Sequence, residues 1–224
     1  ILTDDDEHAK KIRKKIANYP ESKTSWILKK AAECIFKDIG TLPIIFEASY
    51  QIIRFGYAFN IKLIKDLVSQ ELNSKLLTEM PESYLSKMSP VQARLIKKKW
   101  SSILTDVQHR ISCARVYCKI FEGLNEVIYP EFRDDFAHTY LYFPIQVENK
   151  DKLQKYLISH GCDVGVQYSA NVADLSGYNK FFTDCPNARR SYKGTVILPT
   201  YPGFPIKLAE KYGQTVRNYC LKRK

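Results

Sequence analysis

The feature that most constrains this chain is a change in the spacing of its apolar residues near Tyr129. Upstream, large apolar side chains recur at helical intervals: Trp26, Ile27, Ala31, Ile35 and Ile39, then Leu95, Trp100, Ile103, Leu104, Val107, Ile111, Ala114, Val116 and Phe121. Downstream, short alternating runs take over at Tyr140–Val147, Val164–Tyr168 and Thr195–Leu198. A period near 3.6 belongs to helices and a period of two to strands, so the chain reads as α+β. Three strands this short must pair in one sheet, because an unpaired buried backbone costs too much. Helical patterns separate them: Lys150 to Ser159, closed by His160-Gly161, then Asn187 to Tyr192, with a last helix marked by Leu208, Tyr212, Val216 and Tyr219. Pro144 within the first run predicts an edge strand or a bulge.

The upstream part divides further. Asp4-Asp5-Asp6-Glu7 places acids where the positive end of a helix dipole wants them, and the helix runs from His8 to about Ala17, before Asn18-Tyr19-Pro20. Residues 24–73 hold three short apolar segments with lysines at their edges, broken at Gly40 and Pro43. Such a pattern suits a small packed subdomain or a helix set lying in a membrane surface. The packed subdomain is the preferred reading, because globular cores share the same amphipathicity. Ser89-Pro90 starts a long helix over roughly 89–122, ended by Gly123. The expected organisation is a remnant strand and helix at 1–19, an apolar helical insert at 20–80, a long connecting helix at 81–128, and a small α+β domain at 129–224.

The chain has 224 residues, enough for a sizeable core without disulfides or metal. Its 35 Lys and Arg against 24 Asp and Glu give +11, compatible with nucleic acid, an anionic membrane face or phosphorylated substrates. No aromatic RNA-binding signature, glycine-rich phosphate loop or zinc-finger spacing directs that charge to nucleic acid. Lys97-Lys98-Lys99 reads as a solvated face. The six cysteines form no CxxC pair, and the four histidines stand apart from them, so no metal site is expected. The cysteines read as reduced, mostly buried thiols of a cytoplasmic protein. No apolar run approaches the ~18 residues of a membrane span.

Several ordered motifs carry a resemblance. Met88-Ser89-Pro90-Val91-Gln92-Ala93 precedes a basic helix; Tyr142-Phe143-Pro144-Ile145, Leu157 to Gly161 and Tyr168 follow. Cys185-Pro186-Asn187-Ala188 and Leu198-Pro199-Thr200-Tyr201-Pro202-Gly203 come last. With Ile1-Leu2-Thr3-Asp4-Asp5-Asp6-Glu7 at the front, this order resembles the DegT/DnrJ/StrS sugar aminotransferases; only residues about 20–75 fall outside it.

The resemblance implies the C-terminal part of a fold-type I aminotransferase: a small antiparallel sheet with helices, plus the connecting helix. It implies a pyridoxal-phosphate enzyme acting as a homodimer on a nucleotide sugar, with an amino-acid donor such as glutamate. The Schiff-base lysine, the acid on the pyridine nitrogen and most of the phosphate cup would lie upstream of Ile1, in a longer parent. No catalytic or cofactor-binding residue is therefore assigned, and no cofactor is expected on this chain alone. Where the family has an Asn and an Arg, the ungapped match places Leu85 and Lys87. Leucine cannot donate a hydrogen bond, and lysine keeps the charge without the guanidinium fork. Candidate substrate-binding residues are His138, Tyr168 and Lys87. Two further readings stand beside this one: a non-catalytic relative acting as a binding or scaffolding protein, and a basic membrane-surface or nucleic-acid module. In the membrane reading residues 24–73 meet an anionic surface through Lys23, Lys29, Lys30, Lys62 and Lys65, making the protein peripheral.

Overall fold

A computed structural model describes residues 4–40, 79–166 and 171–222, with single positions between 42 and 61. The described residues fall into two compact units, one ending at Ser101 and the other beginning at Ser102. The first unit opens with α1, Asp6–Ala17. Asp5 caps it, accepting from the backbone N–H groups of Glu7 and His8 at 2.9 Å each. Acids in the first turn and Lys14 and Lys15 in the last both complement the helix dipole. Helix α2 spans Thr24–Gly40. A 3-10 turn, Glu82–Leu85, leads to α3, Pro90–Trp100, whose start is a full capping box. The Gln92 N–H donates to Ser89 Oγ, and the Ser89 N–H donates to Gln92 Oε1 at 2.9 Å. No apolar side chain described in this unit is buried.

The core belongs to the second unit. Helix α4, Ile103–Phe121, turns its Ile111, Ala114, Tyr117 and Phe121 inward. Strand β1, Phe143–Gln146, is followed by α5, Lys150–Ser159, then β2, Gly165–Val166. After two 3-10 turns come α6, Pro186–Gly194, β3, Thr195–Leu198, and α7, Ile206–Leu221. The sheet is antiparallel in the order β1-β3-β2, with Phe143 opposite Leu198 and Gly165 opposite Ile197. All three expected strand segments thus join one sheet. Residues 167–170 lie outside the described residues. The Gln146 N–H donates to Ile128 on the side away from β3, so the nitrogen of Pro144, two residues earlier, faces that edge as well. A missing N–H there removes no bond to β3.

Helices α4 and α7 run parallel. His109 reaches Phe204 at one end, and Arg217 reaches Ile120 at the other. Between them a Cβ on Gly213 would stand 2.9 Å from Ile120 Cδ1, so the helices approach closely. Tyr117, Phe121 and Phe143 form an aromatic cluster under the sheet. The Tyr117 hydroxyl satisfies itself by donating to the Pro199 carbonyl at 2.9 Å.

Two expectations need correction. The helix expected over 89–122 is interrupted at Ser101–Ser102, giving α3 and α4. Ser101 Oγ donates back to the Lys98 carbonyl and Ser102 stands at the start of α4; serine competes with the helical ladder in this way. The first strand begins at Phe143, not Tyr140, because Tyr140 has φ +45°, which no strand residue adopts.

Candidate functional site

The segment between α4 and β1 is held by a network of hydrogen bonds centred on Tyr140. Tyr140 is fully buried, in the left-handed region that a bulky residue enters only at a cost of ~1 kcal/mol or more. Four hydrogen bonds hold it there. Its hydroxyl accepts from the Arg133 N–H at 2.6 Å and donates to the Glu131 carbonyl at 3.4 Å. Its carbonyl accepts from the buried Thr200 hydroxyl at 2.8 Å, and its own N–H donates to His138 Nδ1 at 3.0 Å. Burial raises the Tyr140 phenol above its ordinary value, which keeps it a neutral donor. Asp135 closes the loop tip by accepting from Arg133 and from the Ala137 N–H. The Arg133 bond first, then the Ala137 one, holds its carboxyl below the usual range.

This scaffold sets the chemistry of His138. The exposed ring rests on Tyr140, with centroids 4.2 Å apart. Because Nδ1 accepts a backbone N–H, the neutral imidazole must carry its proton on Nε2. The loop therefore presents one oriented N–H donor, suited to a hydroxyl, carbonyl or phosphate oxygen.

The other candidates are placed differently. Lys87 lies in the first unit, bridged to Glu21 through the backbone, with Nζ 3.3 Å from Glu21 Oε1. Its charge already has a carboxylate partner. Leu85, half-exposed at 39%, offers no donor. These two residues do not fit a pyridoxal phosphate group in this arrangement. Lys87 and His138 belong to separate units, and Tyr168 lies outside the described residues. Lys150 is a lysine whose pKa burial lowers, yet its Nζ donates to the Tyr192 carbonyl at 2.8 Å and sits over that ring. Burial pushes the Cys113 and Cys118 thiols up to about 11, which leaves them protonated and poor nucleophiles. Among the described residues no group of three or more His, Cys, Asp or Glu could hold a metal.

Tyr140 and Thr200 were not singled out from sequence. The signal lay in the closing motif Leu198–Gly203, whose residues prove to be anchors. Thr200 clamps the Tyr140 carbonyl, Pro199 accepts from Tyr117, and Gly203 takes φ +86° at the turn into α7.

Solved structures share this fold. The aminotransferase TlmJ from Streptoalloteichus hindustanus matches with a TM-score of 0.56 and 17% identity, over 62% of this chain and 39% of that one. DesV from S. venezuelae, solved in complex with a ketimine intermediate, matches with a TM-score of 0.57 and 19% identity, over 73% and 44%. PseC from Helicobacter pylori, an aminotransferase involved in the biosynthesis of pseudoaminic acid, gives 0.56 and 14%, over 73% and 47%. The chain therefore spans less than half the length of each, and at these identities the likeness is one of fold. No curated protein matches the chain by sequence. The architecture is that of the C-terminal part of a fold-type I aminotransferase, in a family that depends on pyridoxal phosphate. A family model matches residues 61–216, well over half of the sequence, and the chain belongs to the DegT/DnrJ/EryC1/StrS aminotransferase family.

Proposed function

We propose that this chain is the C-terminal part of a nucleotide-sugar aminotransferase and does not transaminate alone. In its longer parent it acts within a homodimer, with an amino-acid donor such as glutamate. The observation that carries this reading is the anchored loop with the Nε2–H of His138 turned outward. A donor whose ring is held by the Tyr140 N–H and rests on the anchored Tyr140 ring costs little entropy to use on a ligand oxygen. His138 grips a sugar or phosphate oxygen in this proposal; Tyr168 is a further substrate-binding candidate, and Lys87 is a separate one in the first unit. The absence of a donor at Leu85 and the carboxylate beside Lys87 support inactivity toward the cofactor on this chain's own residues. The same Leu85 favours a second reading, a non-catalytic relative that binds a nucleotide sugar or a protein without turning it over.

Two measurements test the proposal. Incubation with pyridoxal phosphate should give no aldimine absorption band that borohydride fixes to a single lysine; such an adduct overturns the inactivity. Titration calorimetry with a nucleotide sugar should show binding that His138→Ala weakens about tenfold, the loss of one good hydrogen bond of ~1.4 kcal/mol. Unchanged binding removes His138 from the site.

A further inference from the structure

Parallel helices α4 and α7 flank a surface groove of about 1050 Å³, whose lining Arg115 touches Asp134 and Phe132 of the loop just described. Its rims are basic. Arg115 and Lys119 stand one turn apart on α4, and Lys207 and Lys211 stand one turn apart on α7. Val116 and Ile120 line the same groove from α4, and both pack against the core. Gln214 and the carboxylates Glu122 and Glu210 complete the lining, so cations outnumber anions even before Arg217 is counted. Arg217 is engaged, donating to the carbonyls of Ile120 and Glu122 at the end of α4. Arg115 is paired with Asp134 at 2.9 Å. Lys119, Lys207 and Lys211 form no ion pair with a described carboxylate.

With Arg115 matched by Asp134, Lys119 faces Lys207 and Lys211 across the groove, and Glu122 and Glu210 offset only part of that charge. The remaining positive excess is what a partner's carboxylates could match. We propose that the α4–α7 groove is a docking surface for an acidic amphipathic helix of a partner protein. Its carboxylates would meet Lys119, Lys207 and Lys211, and its apolar side chains would cover Val116 and Ile120. The apolar lining decides between polyanions. Nucleic acid binds through phosphate contacts and stacking on aromatic rings, and no aromatic residue lines this groove. A membrane needs a convex apolar face, whereas this surface is a trough between two helices. Helix-in-groove docking uses just such an apolar floor with a charged rim. The inference does not depend on the aminotransferase reading.

The test uses the full chain and a fluorescein-labelled helical peptide of Leu-Glu-Glu-Leu repeats, read by anisotropy at rising salt. Binding is expected, weakening with salt, and about tenfold weaker in the double variant Lys119→Glu/Lys211→Glu. A Lys97→Glu/Lys98→Glu control on α3 makes the same charge change outside the groove and should bind within about twofold of the parent. A peptide with Ser in place of Leu should lose about tenfold, because the floor is then left uncovered. The proposal is overturned if the control pair loses as much as the groove pair, or if the Ser peptide binds as well. It also fails if single-stranded oligonucleotide or phosphatidylserine vesicles bind more tightly than the Leu-Glu peptide and do so through Lys119 and Lys211.

Discussion

Thr200 shows how much one side chain can decide. Its hydroxyl is buried and donates to the carbonyls of Tyr140 and Leu141, at 2.8 and 3.3 Å. Thr200→Val keeps the shape and removes the donor, leaving acceptors unpaired at a cost of about 1–3 kcal/mol. The expected outcome is a lower urea midpoint with an unchanged slope. A second readout separates positioning from bulk stability. Nitrogen NMR of His138 should show the Nε2–H form in the parent chain and mixed tautomers in the variant, since Tyr140 then loses one of the four bonds that hold its left-handed conformation. A uniform Nε2–H signal in both would mean that Thr200 plays no part in orienting the imidazole. None of this was legible beforehand: the sequence marked His138 as a polar residue before a strand, and a hydrogen bond spanning 60 residues has no local signature.

At the scale of elements, two glycines separate backbone from side-chain crowding. A Cβ on Gly194 would lie 2.8 Å from the Val147 carbonyl oxygen, where α6 hands over to β3. Backbone cannot yield without breaking the Val147 N–H bond to the Gly194 carbonyl, at 3.0 Å. A Cβ on Gly213 meets the tip of Ile120 instead, and a terminal methyl can rotate away. Gly194→Ala should therefore destabilise by about 2 kcal/mol or more, and Gly213→Ala by clearly less, offset by the better helix propensity of alanine. Chemical denaturation of both variants checks the order, and a reversal would mean that the α4–α7 contact is tighter than the sheet edge. The elements themselves were largely legible. Ser89 and Pro90 announced the start of α3, Gly161 the end of α5, and alternating apolar residues the three strands. What escaped was the break at Ser101–Ser102, because apolar spacing continues across it from Trp100 to Ile103.

For the whole molecule the telling contrast is between units. Every buried apolar side chain described lies between Ile111 and Cys220, while α2 leaves Leu28, Ile35, Phe36 and Ile39 exposed, Phe36 by 77%. Leu28, Ile35 and Ile39 share one face at helical spacing, and Lys29 and Lys30 lie off it. Residues 1–60 also fall outside the family match. Among the described residues no helix is long and apolar enough to cross a membrane, so any lipid contact of α2 would be in-plane. The expected outcome is that the intact chain self-associates or floats with anionic liposomes at low salt, and that deletion of residues 24–73 abolishes both. Monomeric chain that ignores liposomes would refute this. By itself the sequence determined the helix and strand periods, the single sheet, and the family order of motifs, because these depend on residues close together along the chain. Only the tertiary structure decided that Tyr140 is locked in a left-handed conformation, that Lys87 is matched by Glu21, and that cations of α4 and α7 share one groove. Those facts depend on residues far apart in sequence, whose meeting is set by packing and hydrogen bonding rather than by any local pattern.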